Sequence, residues 1–73
     1  MSRFNKISLE EAKKIAKEKN LKPGRVKGTD AIQFTKGKAE RIEVISWDEF
    51  EKLLKKRGLG IYEYQGWMKL MNA

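Results

Sequence analysis

Two segments of the chain place apolar residues at the three- and four-residue spacing of a one-sided helix. One segment follows Ser8 and the other follows Ser46. Each serine is followed three residues later by glutamate, which is typical of a capping box at a helix N-terminus. Asn20 and Gly58 stand where a left-handed residue closes a helix. The pattern therefore predicts two helices, each bounded by these residues and each buried along one face.

After each helix the apolar period changes from 3.6 to 2, which predicts strands. Gln65-Gly66 is a tight-turn pair, so the last two predicted strands form a hairpin. A second turn is expected at Gly28-Thr29-Asp30, and Phe4 to Ile7 offers an additional strand before the first helix. The remaining predicted strands are one centred on Val26 and the segments Ala31–Thr35, Arg41–Ile45, Ile61–Tyr64 and Trp67–Met71.

These elements predict a small two-layer α+β domain. From Ser8 onward their order is α-β-β-β-α-β-β, and we expect an antiparallel sheet carrying both helices on one face. The other face of the sheet, or its edge, is then available to a partner. At 73 residues the chain is long enough for a single domain, residues 1–73.

The chain also resembles itself. A shift of 38 positions aligns residues 3–35 with residues 41–73 without a gap. About two or three identical pairs are expected by chance in so lysine-rich a chain. The alignment has eight: Arg3/Arg41, Ile7/Ile45, Ser8/Ser46, Glu11/Glu49, Lys14/Lys52, Lys17/Lys55, Leu21/Leu59 and Gly28/Gly66. We predict an internal duplication; the alternative is that any two capped amphipathic helices look alike.

The amino-acid composition limits the kinds of structural and catalytic site that the chain can form. The absence of cysteine and histidine excludes disulfide scaffolds and zinc modules, and removes the commonest general base. Ser8 and Ser46 are explained as helix caps, and most carboxylates lie in first helical turns or at ion-pair spacing. We therefore expect a protein that is not an enzyme and that uses no cofactor and no metal.

The expected location of the protein depends on two sequence features that are missing. No apolar run approaches the about 18 residues that cross a bilayer, and the first residues lack the apolar stretch of a secretory signal. The expectation is a cytoplasmic protein without a membrane partner.

Positive charge is concentrated in the first half of the chain. The whole chain has 17 Lys and Arg against 10 Asp and Glu, a net charge of +7. Residues 1–38 contain 11 basic and 4 acidic residues, whereas residues 39–73 contain six of each. Folding alone does not require this asymmetry, which favours a polyanionic partner for the first half.

The densest basic stretch runs from Lys22 to Thr29. Its Pro23-Gly24 pair predicts a loop whose backbone N–H groups approach a phosphate, and Gln33 and Thr35 are expected to point outward nearby. The alternative is a solvated turn whose lysines serve solubility. The predicted nucleic-acid-binding residues are Lys22, Arg25, Lys27, Gln33, Lys36 and Lys38.

Five of the seven aromatic residues lie in the neutral second half, and core packing is expected for most of them. An exposed aromatic ring would serve as a stacking platform or a protein contact.

The charge and the aromatic residues lead to two hypotheses for the function of the protein. The first is an accessory domain that binds DNA or RNA through phosphates with low sequence specificity. The alternative is a protein-interaction or self-association module that docks through Tyr62, Tyr64 and Trp67.

Overall fold

The computed structural model describes residues 3–72, in which the elements follow the order β-α-β-β-β-α-β-β. The helices are α1 (Leu9–Glu18) and α2 (Trp47–Lys56), and the strands are β1 (Asn5–Ile7), β2 (Lys22–Val26), β3 (Ile32–Thr35), β4 (Ile42–Val44), β5 (Leu59–Tyr64) and β6 (Trp67–Asn72). The predicted α+β class and element order are confirmed, including the additional first strand. Ala73, the last residue of the predicted second repeat, lies outside the described residues.

Both helices begin at the predicted serine caps. The Ser8 hydroxyl accepts a hydrogen bond from the backbone N–H of Glu11 at 3.2 Å, and the Ser46 hydroxyl accepts one from Glu49 at 3.1 Å. Each bond satisfies a backbone donor that has no partner within the helix. The two helices thus start through the same local interaction.

Both helices also end as predicted, at residues with positive φ. Asn20 has φ 57° and Gly58 has φ 63°. After α1, the Leu21 N–H reaches back to the Ala16 carbonyl at 2.7 Å, as in a Schellman motif. This closure turns the chain directly from α1 into β2.

The strands form two three-stranded antiparallel sheets rather than the single sheet expected from the sequence. Sheet A has the order β1-β5-β6, and sheet B has the order β3-β2-β4. The edge strands β3 and β6 lie against one another without pairing. Side chains such as Phe34 and Met68 line the space between them, so the two sheets meet through side-chain packing.

Each sheet combines strands from both halves of the chain. β1 pairs with β5, and β4 pairs with β2. The two registers correspond: Asn5 opposes Glu63 in sheet A, and a shift of 38 positions turns that pair into Glu43 opposite Arg25 in sheet B. The hairpins differ, because two residues separate β5 from β6 and five separate β2 from β3. Common descent of the halves stays a hypothesis.

The core lies where the helices meet both sheets. Ala12 of α1, Phe50 of α2, Ile32 of β3 and Ile61 of β5 form its buried centre. The Phe50 ring lies 5.3 Å from that of Phe34, which is partly buried and packs against the core. Both helices therefore bury their apolar faces in one cluster.

The predicted loop at Pro23-Gly24 is wrong, because both residues are buried in β2, the central strand of sheet B. An ideal Cβ on Gly24 would lie 2.6 Å from Cγ2 of Ile42 and 2.7 Å from Cγ2 of Thr35. Thr35 is consequently 7% exposed instead of pointing into solvent. Pro23 has no backbone N–H to donate, but its carbonyl accepts a hydrogen bond from the Ile45 N–H at 3.0 Å, one residue beyond the end of β4.

Candidate functional site

Four lysines converge at one end of sheet B. Lys19 caps the C-terminus of α1, Lys22 begins β2, and Lys36 and Lys38 follow β3. Together with Asn20 they line a hollow of about 390 Å³. We refer to Lys19, Lys22, Lys36 and Lys38 as the lysine cluster.

The backbone brings these residues together. Lys22 opposes Thr35 in the β2–β3 register, so the chain leaving β3 must pass beside the start of β2. The Thr35 hydroxyl accepts a hydrogen bond from the N–H of Gly37 at 3.1 Å, and Gly37 turns the chain with φ 84°. The side chain of Lys22 lies alongside Gly37. A tight turn therefore holds Lys36 and Lys38 next to Lys22.

Within residues 3–72, no member of the lysine cluster has a carboxylate within ion-pair distance. The ion pairs of this part of the chain lie elsewhere, and they are Lys13–Glu10, Arg25–Glu43, Lys55–Glu51 and Lys56–Asp30. No acidic residue lines the hollow of the cluster. Four like charges thus share one depression without a neighbouring carboxylate, so positive charge is concentrated there.

Arg25, a predicted phosphate contact, is already engaged. Its guanidinium donates two hydrogen bonds to one carboxylate oxygen of Glu43, with the Nε contact at 2.7 Å. That hydrogen bond and the carboxylate charge raise the pKa of Arg25. Both side chains are about one-third exposed. Arg25 therefore has its own anionic partner within the protein.

The predicted residues Lys27 and Gln33 lie apart from the lysine cluster. Lys27 is exposed in the turn after β2, and the two ends of that strand are about 14 Å apart. Gln33 is exposed in the middle of β3. Of the six predicted nucleic-acid-binding residues, the structure thus brings together Lys22, Lys36 and Lys38.

A polar contact occupies the far end of sheet B. The Asp30 carboxylate accepts a hydrogen bond from Lys56 Nζ at 2.9 Å, and this hydrogen bond together with the lysine charge lowers the pKa of Asp30. The Asp30 carbonyl also accepts from Arg57. Cations at the end of α2 are thereby tied to the β2–β3 turn and do not extend the lysine cluster.

Trp67 lies beside the lysine cluster and is 75% exposed. A groove of about 470 Å³ runs between the two, and Lys19 and Lys36 line it together with Trp67 and Phe34. The β5–β6 turn holds the indole there: Gln65 and Gly66 both have positive φ, as a type I′ turn requires. Of the five aromatic residues of the second half, Trp47 and Phe50 pack in the core, whereas Tyr62, Tyr64 and Trp67 lie outside it. The expectation of core packing for most of them is therefore wrong.

The face of sheet A that turns away from the core is aromatic and basic. Tyr64 opposes Trp67, and Tyr62 opposes both Lys6 and Lys69, so these side chains share one face by strand alternation. All three predicted partner-binding residues lie on this face. Tyr62 lies between Lys6 and Lys69 across the three strands, and Tyr64 and Trp67 form the neighbouring pair on the same face. We refer to these five residues as the aromatic face.

Contacts from the N-terminal segment reach the aromatic face. The Arg3 guanidinium donates to the Tyr64 hydroxyl at 3.4 Å, and the Phe4 ring lies 5.8 Å from the Tyr64 ring. Lys69 Nζ stands 4.3 Å from the centre of the Phe4 ring, a cation–π distance. These contacts add a further positive charge to the face and order its lysine.

Sequence reasoning missed Lys19 of the lysine cluster, and it missed Lys6 and Lys69 of the aromatic face. A signal for Lys19 existed, because it directly precedes the helix-closing Asn20 and lies three residues before the start of the densest basic stretch at Lys22. Lys69 alternates with the exposed Trp67 along one strand, which places both on the same face. Lys6 gave no such signal, since its position depends on the pairing of β1 with β5.

Two other features, a group of metal ligands and a membrane-spanning helix, are absent from the described residues. Residues 3–72 contain no group of three or more potential metal ligands. Each helix has ten residues, and neither is long and apolar enough to cross a membrane. No family model, curated protein or solved structure matches the chain.

Proposed function

We propose that the protein binds nucleic acid through the lysine cluster, contacting phosphates with low sequence specificity. The observation that carries the proposal is the convergence of four lysines on one hollow, without a carboxylate partner among residues 3–72. The sequence alone placed the whole net charge of +7 in the half of the chain that supplies all four lysines.

Electrostatics explains why such a cluster suits a phosphate backbone. Mutual repulsion among four neighbouring ammonium groups opposes folding, and a polyanion relieves it by placing negative charge between them. Each phosphate that is neutralised releases condensed counterions, which drives binding at low salt. Lysine acts as a flexible point charge rather than a reader of base edges, so these contacts position a strand without selecting its sequence.

Binding to labelled DNA and RNA of mixed sequence tests the proposal directly. We expect fluorescence anisotropy to report binding at about 50 mM salt and a steep loss of affinity by about 200 mM salt. An absence of binding to every oligonucleotide at the lower salt concentration would refute the proposed function.

A pair of charge-matched variants locates the contact. The first variant changes all four residues of the lysine cluster to Gln. If each lysine contacts one phosphate, the slope of log K against log salt becomes shallower by about 2.8 for a single strand or about 3.6 for a duplex. The control variant removes four other lysines from the two helices: Lys13, Lys52, Lys55 and Lys56.

Three of the control lysines already have carboxylate partners, so we expect their removal to change the slope far less. Equal losses from the two variants would mean that diffuse net charge drives binding and that the lysine cluster is not a site. Urea unfolding of both variants checks that the fold is retained.

A second candidate function rests on the exposure of Trp67. An indole that is 75% exposed is a common anchor of protein interfaces. In this alternative, Tyr62, Tyr64 and Trp67 dock a protein partner or a second copy of the chain, and the lysines serve solubility. Such an interface would be much less sensitive to salt than phosphate binding.

A further inference from the structure

We propose that the nucleic acid bound by this protein is single-stranded and that the Trp67 indole stacks on one of its bases. This inference rests on the proposed function and adds the class of ligand to it. It follows from the position of the most exposed aromatic ring of the described chain relative to the lysine cluster. The physical link between the two is the groove lined by Lys19, Lys36 and Trp67.

The groove joins two chemically different surfaces, the lysine cluster and the Trp67 indole, into one binding path. Lys19 and Lys36 line both the hollow of the lysine cluster and the groove that ends at Trp67. A strand whose phosphates lie on the cluster therefore has its adjoining nucleotide within reach of the indole. A duplex offers its phosphates to the same lysines, but its bases are paired and stacked inside, so no base face reaches Trp67. A single strand offers both.

The aromatic face continues the path beyond Trp67. Tyr64 stands directly across the strand pair from Trp67, and Lys69 lies two positions along β6 on the same face. This repeats the combination of ring and cation found at the groove. Aromatic platforms edged by cations are typical of proteins that bind single strands with little base preference.

The aromatic face also lacks negative charge. Within the described part of sheet A, the one carboxylate is that of Glu63, which alternation places on the opposite side from Tyr62 and Tyr64. Glu63 accepts a hydrogen bond from the Gly66 N–H at 2.8 Å and so stays at the β5–β6 turn. The described strands of sheet A therefore place no carboxylate on the aromatic face.

Affinity for single strands and duplexes, measured in parallel on the full chain, tests the inference. The probes are single-stranded DNA, single-stranded RNA and duplex DNA, all of mixed sequence. Because stacking on one aromatic residue is sequence-tolerant and strong, Trp67→Ala should weaken single-strand binding about 5- to 150-fold and leave duplex binding nearly unchanged. Trp67→Phe keeps a ring and should restore much of the loss.

Intrinsic fluorescence gives a second, independent readout. The chain has two tryptophans, and Trp47 packs beside Phe34 and Phe50 in the core. In a Trp47→Phe variant, Trp67 is the sole indole, and stacking of a base should quench its emission as single strands bind. Trp47→Phe also serves as the aromatic control, because single-strand affinity should not change.

The possible outcomes separate the inference from the function on which it rests. If single strands and duplexes bind equally, and Trp67→Ala alters neither, the inference is wrong while phosphate binding by the lysine cluster stands. If Trp67→Ala instead abolishes self-association measured by sedimentation and leaves nucleic-acid affinity unchanged, Trp67 is a protein contact. If no nucleic acid binds at all, both proposals fall together.

Discussion

Gly24 provides the sharpest test of how sheet B is packed. It lies in the central strand β2, where the side chains of Thr35 and Ile42 close over it from the neighbouring strands. Gly24→Ala adds a methyl group that would sit 2.6 Å from one Cγ2 atom and 2.7 Å from the other. Carbon atoms are comfortable at about 3.5–4.0 Å, so both contacts are about 1 Å too short.

The expected cost follows from these two overlaps. Forcing an extra methyl group into a packed site costs about 1–3 kcal/mol. Replacing glycine also reduces the entropy of the unfolded chain, which returns about 0.4–1 kcal/mol. Because both overlaps must be relieved at once, the overpacking cost lies in the upper part of that range, about 2–3 kcal/mol, and we expect Gly24→Ala to lower the free energy of unfolding by about 1–2.6 kcal/mol. For a domain of this size that corresponds to a fall in melting temperature of about 4–8 °C per kcal/mol.

Urea unfolding of a double-mutant cycle isolates the proposed clash. Thr35→Ser removes the Cγ2 methyl group but keeps the hydroxyl that accepts from Gly37. Combined with Gly24→Ala, it should give a loss smaller than the sum of the two single losses by about 0.5–1 kcal/mol. Gly28→Ala is the control: that site has open space and φ 78°, so Thr35→Ser should not offset its cost.

Two results would contradict this account of sheet B. One is a Gly24→Ala variant whose stability is within about 0.5 kcal/mol of the parent, the range of an ordinary surface substitution. The other is strict additivity of Gly24→Ala and Thr35→Ser. Either would mean that β2 is not enclosed by its neighbours in the way that the distances indicate.

Two further predictions concern individual side-chain hydrogen bonds. Ser8→Ala and Ser46→Ala should each lower the free energy of unfolding by about 0.5–2 kcal/mol through loss of an N-cap, whereas a negligible change in urea unfolding at either site would misplace that helix start. Lys56 lowers the pKa of Asp30 below its ordinary value of 3.8, so this pair stabilises the fold above that pH and the contribution is lost as pH falls through the lowered pKa. The stability advantage over Asp30→Asn should therefore be present at neutral pH and vanish in acid; an advantage that persists at the lowest pH would contradict the pairing.

Local features were predictable because they depend on residues only a few positions apart. The serine caps, the helix-closing Asn20 and Gly58, and the turn at Gln65-Gly66 all involve contacts within about five residues. The apolar periods likewise predicted which face of each helix is buried, but in β3 the outward position expected for Thr35 is buried. Element order and the α+β class followed from these local patterns without any knowledge of strand pairing.

Part of the candidate site was predictable for the same reason. The concentration of positive charge in residues 1–38 is a property of the sequence, and it identified Lys22, Lys36 and Lys38. The prediction went wrong at Pro23-Gly24, where proline and glycine are usually turn residues. Here the packing of Thr35 and Ile42 over a bare backbone outweighs that local preference.

The pairing of strands from different halves of the chain is visible only in the tertiary structure. β1 pairs with β5 and β4 with β2, so each sheet is completed by a strand distant in sequence. This pairing places Lys6 on the aromatic face and sets Glu43 opposite Arg25. Neither pairing can be predicted from the sequence, because the burial of whole sheet faces determines which residues become cross-strand neighbours.

The composition of the candidate site was decided in the same way. The sequence determined how many lysines the first half carries, but only the fold determined which of them have carboxylate partners. Arg25 is paired by Glu43, whereas Lys19 joins Lys22 at one hollow, with Trp67 from the far end of the chain beside them. Charge and helix caps are local properties of a sequence, but proximity between distant residues arises only when strands pair and the core closes.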